Sequence, residues 1–389
     1  MRMKITRFFK TPVKLLSLAL SALVSVLACS LVLAEGTGVG ELSDADVRVG
    51  VLGLFHPREL TVRASAGSAL VVRAGEERIV LEKSSGVDSA AVRISDRQVV
   101  LTAESRVVLA TEVTVTGRNG EPVDFVLVVP EKITRHYHGT LKIKSSAGSL
   151  LAIVAMDREI AVASIVAAES TPQAPLEALK AQAVAARSYL AASRGRHREF
   201  DFCDTTHCQF LREAPAPPTA AAQAVAATRG LVLAYDSHPI AAMYTRSCSG
   251  HTRTPAELGL APAAYPYYSV ECKHCLAHPA RWSSRISAED AAALRSSDES
   301  ARLNIDRRLG WSAVPSNDFV VKTERGQIVV EGTGQGHGIG LCQSGAKAMA
   351  EEGADFRQIL SHYYPNTTIV NWPTQKEPTA ASAENRPVR

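Results

Sequence analysis

The sequence has no Walker phosphate loop, no dinucleotide-binding glycine fingerprint and no nucleophile elbow. These are the short motifs that seat a phosphate, a dinucleotide or a serine nucleophile at a helix start, so nucleotide chemistry and serine hydrolysis built on those loops are excluded. No internal repeat is visible, which excludes a solenoid or propeller. An excess of charge of either sign is also missing: 43 Lys and Arg against 39 Asp and Glu leave a formal +4 over 389 residues. That excess is too small and too dispersed for a dedicated nucleic-acid protein, though it suits a polyanionic surface.

The length exceeds one typical domain of ~100–200 residues, so one large or two modest units are expected. Arg2, Lys4, Arg7, Lys10 and Lys14 precede an uncharged apolar run from Leu15 to Ala34. This is the pattern of an export signal. Residues 1–34 are read as a signal cleaved after Ala34, as a lipoprotein signal with Cys29 lipidated, or as an uncleaved anchor, since ~20 apolar residues can span a bilayer. Each reading places the rest of the chain outside the cytoplasm, with a membrane reached only through that anchor or lipid. Outside the cytoplasm thiols tend to pair or to hold metal, and six follow Cys29: Cys203, Cys208, Cys248, Cys272, Cys275 and Cys342.

Residues 45–135 read as a β-rich module, because short alternating runs such as Leu60-Thr-Val-Arg and Val113-Thr-Val-Thr are separated by turn signals at Gly67, Gly75 and Gly120. It carries no cluster of His, Cys and acid, so its role is structural, positioning or carbohydrate-facing. Residues 138–370 mix short strands with helices that do not alternate regularly, which gives an α+β fold class. Residues 373–389 form a polar, proline-containing tail read as disordered.

Within the second region, helices are expected over Leu176–Ala192, Thr219–Arg229, Ala288–Arg295, Gln343–Glu352 and Phe356–Tyr363. Glu169 closes an apolar run, and Pro172 and Pro175 separate it from the helix at Leu176. A carboxylate at such a joint is held by backbone on both sides, which makes Glu169 the first candidate for an acid or base. On the following helix, Lys180 and Arg187 border the stripe of Leu176, Leu179, Ala183, Ala186 and Leu190. Arg187 either reaches into a neighbouring cleft or snorkels. Glu177 reads as a solvated helix-start residue that complements the dipole.

His197-x5-Cys203-x3-His207-Cys208 is a Cys2His2 set, read either as a zinc site with all four positions filled, and therefore structural, or as a Cys203–Cys208 disulfide with surface histidines. Cys272-Lys-His-Cys275, with Cys248 upstream, is read as a second metal site, a disulfide or a redox pair. Gly332 to Gly340 holds five glycines in nine residues around His337. Such a loop lets backbone N–H groups approach a ligand, with His337 contacting a sugar or orienting the acid; the alternative is a tight turn with a packed histidine.

Together, Glu169 with its nearby proline, Glu177-Ala-Leu-Lys-Ala-Gln-Ala-Val-Ala-Ala-Arg-Ser-Tyr, Met243-Tyr-Thr-Arg-Ser-Cys-Ser-Gly, Gly336-His-Gly-Ile-Gly-Leu-Cys-Gln-Ser-Gly-Ala-Lys and Ile359-Leu-Ser-His-Tyr-Tyr-Pro resemble the stage II sporulation protein D (SpoIID) and LytB amidase-enhancer family. The resemblance implies a SpoIID-like peptidoglycan-binding and catalytic domain over 138–370. It implies an exported lytic transglycosylase that cuts peptidoglycan glycan strands, with Glu169 catalytic and Arg187 and Tyr244 supporting it. Lys180, His337 and Gln343 are the candidate substrate-binding residues, and His197, Cys203, His207 and Cys208 look like the family's zinc group. A cell-wall amidase is the implied protein partner, and the alternative function is a non-catalytic, glycan-binding enhancer of that amidase; a zinc hydrolase is the third reading. Two differences from the family's usual text stand out. Ser-Thr-Pro follows Glu169 where Met-Pro is usual, and Cys248 and Cys342 are added, pointing to a bridge or metal site with Cys272 and Cys275.

Overall fold

The computed structural model describes residues 46–170, 173–294 and 299–372. The segment 1–34 with Cys29, the joint residues Thr171 and Pro172, Arg295 and the tail 373–389 lie outside the described residues. No helix of the described residues is long and apolar enough to cross a membrane.

Strands dominate the first half, as the alternating runs require. They are β1 (Asp46–Val51), β2 (Glu59–Ala64), β3 (Ala69–Ala74), β4 (Glu77–Glu82), β5 (Ser89–Ser95), β6 (Gln98–Ala103), β7 (Arg106–Ala110), β8 (Glu112–Thr116), β9 (Val123–Val129), β10 (Ile133–Ser146) and β11 (Ser149–Asp157). With a short β12 (Phe202–Cys203) they form one twelve-stranded sheet whose main path runs β12-β1-β11-β10-β9-β2-β5-β6-β7. Strand β10 passes through residues 136–137, where the sequence places the joint between its two regions, pairing with β9 from Ile133 to Gly139, with β11 from Thr140 and with β8 from Leu141. Strand β1 pairs antiparallel with β11 from Asp46↔Asp157 to Val51↔Ala152. The inward residues Val47, Val49, Leu60, Val62, Val92, Leu127, Leu141 and Val154 are at most 2 % exposed and form the larger core.

Asp157 ends β11 and caps helix α1 (Arg158–Glu169), its carboxylate accepting from the Glu159 and Ile160 N–H groups. Helix α2 (Leu176–Ala192) follows. Its Leu179, Ala183, Ala186 and Leu190 pack into the larger core, while Leu176, the first residue of the expected stripe, is exposed at the helix start; Ala178, Ala181, Val184 and Ala185 pack into a second core. The helix is therefore covered all round. Alanine carries little hydrophobic signal, which hid the second face in the sequence, and its small volume lets neighbours on both sides approach closely.

The remaining elements are α3 (Ala220–Ala227), β13 (Leu231–Tyr235), β14 (His238–Pro239), β15 (Tyr244–Thr245), α4 (Lys273–Ala277), β16 (Arg281–Arg285), α5 (Ala288–Ala293), α6 (Glu299–Leu309), β17 (Asp318–Glu324), β18 (Gln327–Thr333), β19 (Leu341–Cys342), α7 (Gln343–Glu351), α8 (Phe356–Tyr363) and β20 (Thr368–Asn371). The expected caps form: Ser287 accepts from the Asp290 N–H, and Asp355 and Gln358 make a capping box at α8. Helices α4 and α6 were not expected, because neither carries a clear apolar period. The result is a mixed helix-and-strand fold with a β-rich N-terminal region.

Arg187 neither reaches into a cleft nor snorkels. Its guanidinium is wholly buried; Nε and Nη2 donate to Glu159 at 2.9 and 2.7 Å, and Nη1 donates to the Leu231 carbonyl at 3.0 Å. The pair ties α2 to α1 and β13. Arg187→Leu is expected to cost about 3 kcal/mol, since it strips the buried Glu159 carboxylate of both short hydrogen bonds and leaves it only the longer contact with Arg158 at 3.8 Å. The double change Arg187→Leu with Glu159→Leu should recover most of that loss. Both are read as shifts in the denaturant midpoint.

Candidate functional site

Helix α1 ends at Glu169, where Ser170 turns to an extended backbone while still donating to Val166 O at 3.0 Å. The Glu169 backbone carbonyl accepts from Gln343 Nε2 at 3.1 Å, and the same amide reaches Gln182 Oε1 at 3.4 Å. The Glu169 side chain accepts the Phe210 N–H on Oε1 at 2.6 Å. Tyr244 lies beside it, its Oη buried without a hydrogen bond of good geometry. Burial pushes the Glu169 carboxyl up to about 7, opposed by the Phe210 N–H and by Tyr244. Burial, and then the Glu169 charge, hold the Tyr244 phenol well above its ordinary value, so it remains an O–H donor.

A cleft of about 170 Å³ adjoins this helix end, lined by Ser170, Ala174, Ala178, Leu179, Gln182, Arg246, Leu341, Gln343, Ser344, Ala346 and Lys347. No carboxylate is among them. Arg246 is exposed there and has no ion pair among the described residues, whereas Lys347 pairs with Glu351 at 2.5 Å. Gln343 lines the cleft as well as holding the Glu169 carbonyl. Lys180 points elsewhere: it pairs with Glu177 at 2.6 Å and sits over the Phe356 ring. Glu177 is no solvated helix-start residue either, since its other oxygen accepts the Phe356 N–H at 2.9 Å and so docks α8 on α2.

The glycine-rich loop spends its N–H groups on the protein itself. Gln335 donates to Ser247 O at 2.8 Å, Gly336 to Pro315 O at 2.8 Å and Gly338 to Thr245 Oγ1 at 3.1 Å. At Gly340, which has φ +71°, a Cβ would lie 1.9 Å from the Met243 carbonyl oxygen. The loop therefore fastens the Tyr244 strand instead of cradling a ligand. His337 belongs to that fastening: its Nδ1 accepts the Ile339 N–H at 3.0 Å, and desolvation lowers its pKa to about 4, leaving it neutral.

His197, Cys203, His207 and Cys208 do converge. Their ligand atoms lie within 4.8 Å of one another, with His197 Nε2 3.2 Å from Cys208 Sγ and His207 Nδ1 3.7 and 3.5 Å from Cys203 and Cys208 Sγ. Tetrahedral zinc with bonds of about 2.0–2.3 Å sets neighbouring N and S atoms roughly 3.6 Å apart, so the donor set fits such an ion. Hydrogen bonding with the Cys208 thiol lowers Cys203 to about 4 and raises Cys208, so one negative charge is readily held between the two sulfurs. Strand β12 anchors the loop through parallel pairing with β1, and Phe210, two residues past Cys208, is the residue whose N–H reaches Glu169. A second group, Cys248, Cys272, Cys275 and Cys342, also lies within 4.8 Å and is fully buried; it could bind a metal.

Phe210, Gln182 and Arg246 are site residues that sequence reasoning missed. A backbone N–H leaves no side-chain signature, and the other two sit inside motifs read for neighbouring residues. The raised Glu169 pKa has a stability consequence. Its preference for the protonated form contributes fully below the unfolded value near 4.5 and is lost as pH rises through about 7. Glu169→Gln, neutral throughout, should therefore match the wild type at low pH and exceed its unfolding free energy above pH 7 by about 1–3 kcal/mol, as urea denaturation at both pH values would show.

Residues 146–235 match the family model described as stage II sporulation protein, SpoIID. The chain is 29% identical over 269 residues to an uncharacterized protein of Brachyspira hyodysenteriae, a match covering 61% of this chain and 73% of that one. It is 28% identical over 261 residues to the stage II sporulation protein D of Bacillus amyloliquefaciens, covering 54% and 72%. It is 41% identical over 64 residues to the amidase enhancer of Bacillus subtilis, which is 16% of this chain and 9% of the enhancer. The matched stretch holds α1, α2, the Cys2His2 loop and β13, so the element that carries Glu169 and the loop that holds it lie in one matched segment. The chain thus carries a SpoIID domain in residues 146–235 and is similar, over about half its length, to stage II sporulation protein D.

Proposed function

We propose that this chain is an exported cell-wall enzyme, a lytic transglycosylase that cleaves peptidoglycan glycan strands with Glu169 as its single acid and base. The observation that carries this reading is a half-buried carboxyl whose pKa desolvation raises to about 7, beside a phenol with no good hydrogen bond and next to a cleft that no carboxylate lines. A hydrolase with two carboxylates needs a partner acid at a defined separation, whereas an intramolecular transfer needs one group that gives a proton and takes one back. Protonated Glu169 gives its proton to the glycosidic oxygen as the bond to C1 breaks, freeing a hydroxyl on the departing N-acetylglucosamine. The carboxylate then takes the proton of the muramic C6 hydroxyl as O6 bonds to C1. No water is consumed, and Glu169 ends protonated.

In this reading the Phe210 N–H keeps the carboxylate form accessible, Tyr244 supplies an O–H donor beside the acid, and Gln343 holds the end of α1. Arg187 acts through Glu159 on the position of α1. Arg246 and Gln343 contact the strand in the cleft, and residues 138–370 form the peptidoglycan-binding and catalytic domain behind the β-rich 45–135 module. His197, Cys203, His207 and Cys208 hold zinc; four protein ligands fill a tetrahedral ion, so it supplies a crosslink and leaves the Glu169 chemistry to the protein. The N-terminal segment exports the chain to the cell wall or the outer face of a membrane.

The second reading, a glycan-binding enhancer of an amidase, is favoured by the 41% identity to the amidase enhancer. Purified glycan strands separate the two. Wild type is expected to release products ending in anhydro-muramic acid, with kcat/KM falling tenfold per pH unit above about 7 as the acid ionises. Glu169→Gln should lower the rate about 10²–10⁴-fold with glycan binding intact. Binding and amidase stimulation without any anhydro product from wild type would select the enhancer.

A further inference from the structure

The four buried cysteines outside the matched SpoIID stretch form a site of their own. Cys248 follows β15, Cys272 and Cys275 bracket the start of α4, and Cys342 ends β19 and caps α7. They are 1 %, 2 %, 1 % and 0 % exposed, and all four are free thiols. Cys275 and Cys342 Sγ are 3.6 Å apart. A disulfide needs about 2.05 Å, whereas two thiolates on a tetrahedral zinc with Zn–S near 2.3 Å sit roughly 3.8 Å apart. Convergence of all four sulfurs within 4.8 Å is what a single central ion requires, and two separate disulfides would not require it.

The surroundings favour thiolates. Cys342 Sγ accepts the Cys248 N–H at 3.3 Å and the Gly345 N–H at 3.4 Å. Ser247 Oγ lies 3.5 Å from Cys275 Sγ, and Tyr363 Oη lies 3.5 Å from Cys272 Sγ. Outer donors of this kind orient sulfur ligands and stabilise their charge. The wall is also shaped for them: a Cβ at Gly345 would lie 2.5 Å from Cys272 Sγ and 2.0 Å from Tyr363 Oη. Only glycine there leaves the cluster its space.

We propose that Cys248, Cys272, Cys275 and Cys342 bind a second, structural zinc ion as a tetrathiolate. Binding replaces the thiol protons by one Zn²⁺ and changes no oxidation state. The ion joins three segments distant in sequence and locks β15, which carries Tyr244, to β19, which leads into Gln343; these pair in parallel at Tyr244↔Leu341 and Thr245↔Cys342. Its existence does not depend on what Glu169 catalyses, so failure of the enzyme reading would leave the metal count untouched.

The full chain, purified under reducing conditions without chelator, is expected to contain two zinc ions per chain by mass-spectrometric metal analysis. X-ray absorption at the zinc edge should then give an average of three sulfurs and one nitrogen per ion. In a Cys203→Ser, His207→Ala background, one zinc should remain with four sulfur neighbours. Cys275→Ser in the otherwise unchanged chain should lose one equivalent of zinc and keep the Cys2His2 one. The proposal is overturned by a single zinc with two sulfurs and two nitrogens in the wild type, or by an intact mass showing two disulfides among these cysteines. Both of those readings come from the wild-type chain, so they stand even where a variant fails to fold.

Discussion

The Arg187–Glu159 pair is the contact on which the site depends. It is wholly buried, and it joins the first turn of α1 to the last turns of α2 and to β13. A buried ion pair adds little net stability compared with apolar packing, but it tolerates only one geometry, because either partner alone is costly to bury. Helix α1 is twelve residues long, and Glu169 stands at its far end. Fixing its first turn against α2 therefore fixes where the carboxyl emerges. Arg187, which the family resemblance placed beside the proposed acid, packs instead against the first turn of the helix that carries Glu169.

At that far end the protein surrounds one carboxyl with contacts of opposite effect. Desolvation favours the acid form, while the Phe210 N–H and Tyr244 favour the carboxylate. The balance leaves proton affinity near neutrality, where one group can both donate and accept. Each contributor arrives from a different place: Phe210 from the Cys2His2 loop, Tyr244 from β15, and Gln343 from the start of α7. None of these segments has a large apolar face of its own. Short fastenings suit such segments: the parallel β15–β19 pair and the glycine loop that bonds to Thr245, Ser247 and Pro315.

The two ligand clusters differ in how they could be read. Cys203, His207 and Cys208 lie within six residues and His197 close before them, so their spacing alone identifies a donor set. Cys272 and Cys275 are legible as a pair, but Cys342 is 67 residues from Cys275, and nothing in spacing connects them. The parallel pairing of β15 with β19 makes that connection by setting Thr245 opposite Cys342. In the same way Lys180 and Arg187, neighbours on one helix border, part company once packed. Lys180 turns to Glu177 and Phe356, and Arg187 turns inward to Glu159.

Local patterns that the chain carries in short stretches were determined by sequence alone. These are the alternating strands of the first half, the helix starts at Asp355 and Ser287, the length of α2, the break after Glu169 and the Cys2His2 spacing. All rest on interactions among residues a few positions apart, whose periodicity and capping chemistry survive any tertiary arrangement. Tertiary structure alone decided the proton affinity of Glu169, the inward turn of Arg187, the use of the glycine loop as a fastener and the meeting of four distant cysteines. Those depend on desolvation, on a backbone N–H with no side-chain signature and on strand pairing across the chain, quantities that exist only once the segments are packed against one another.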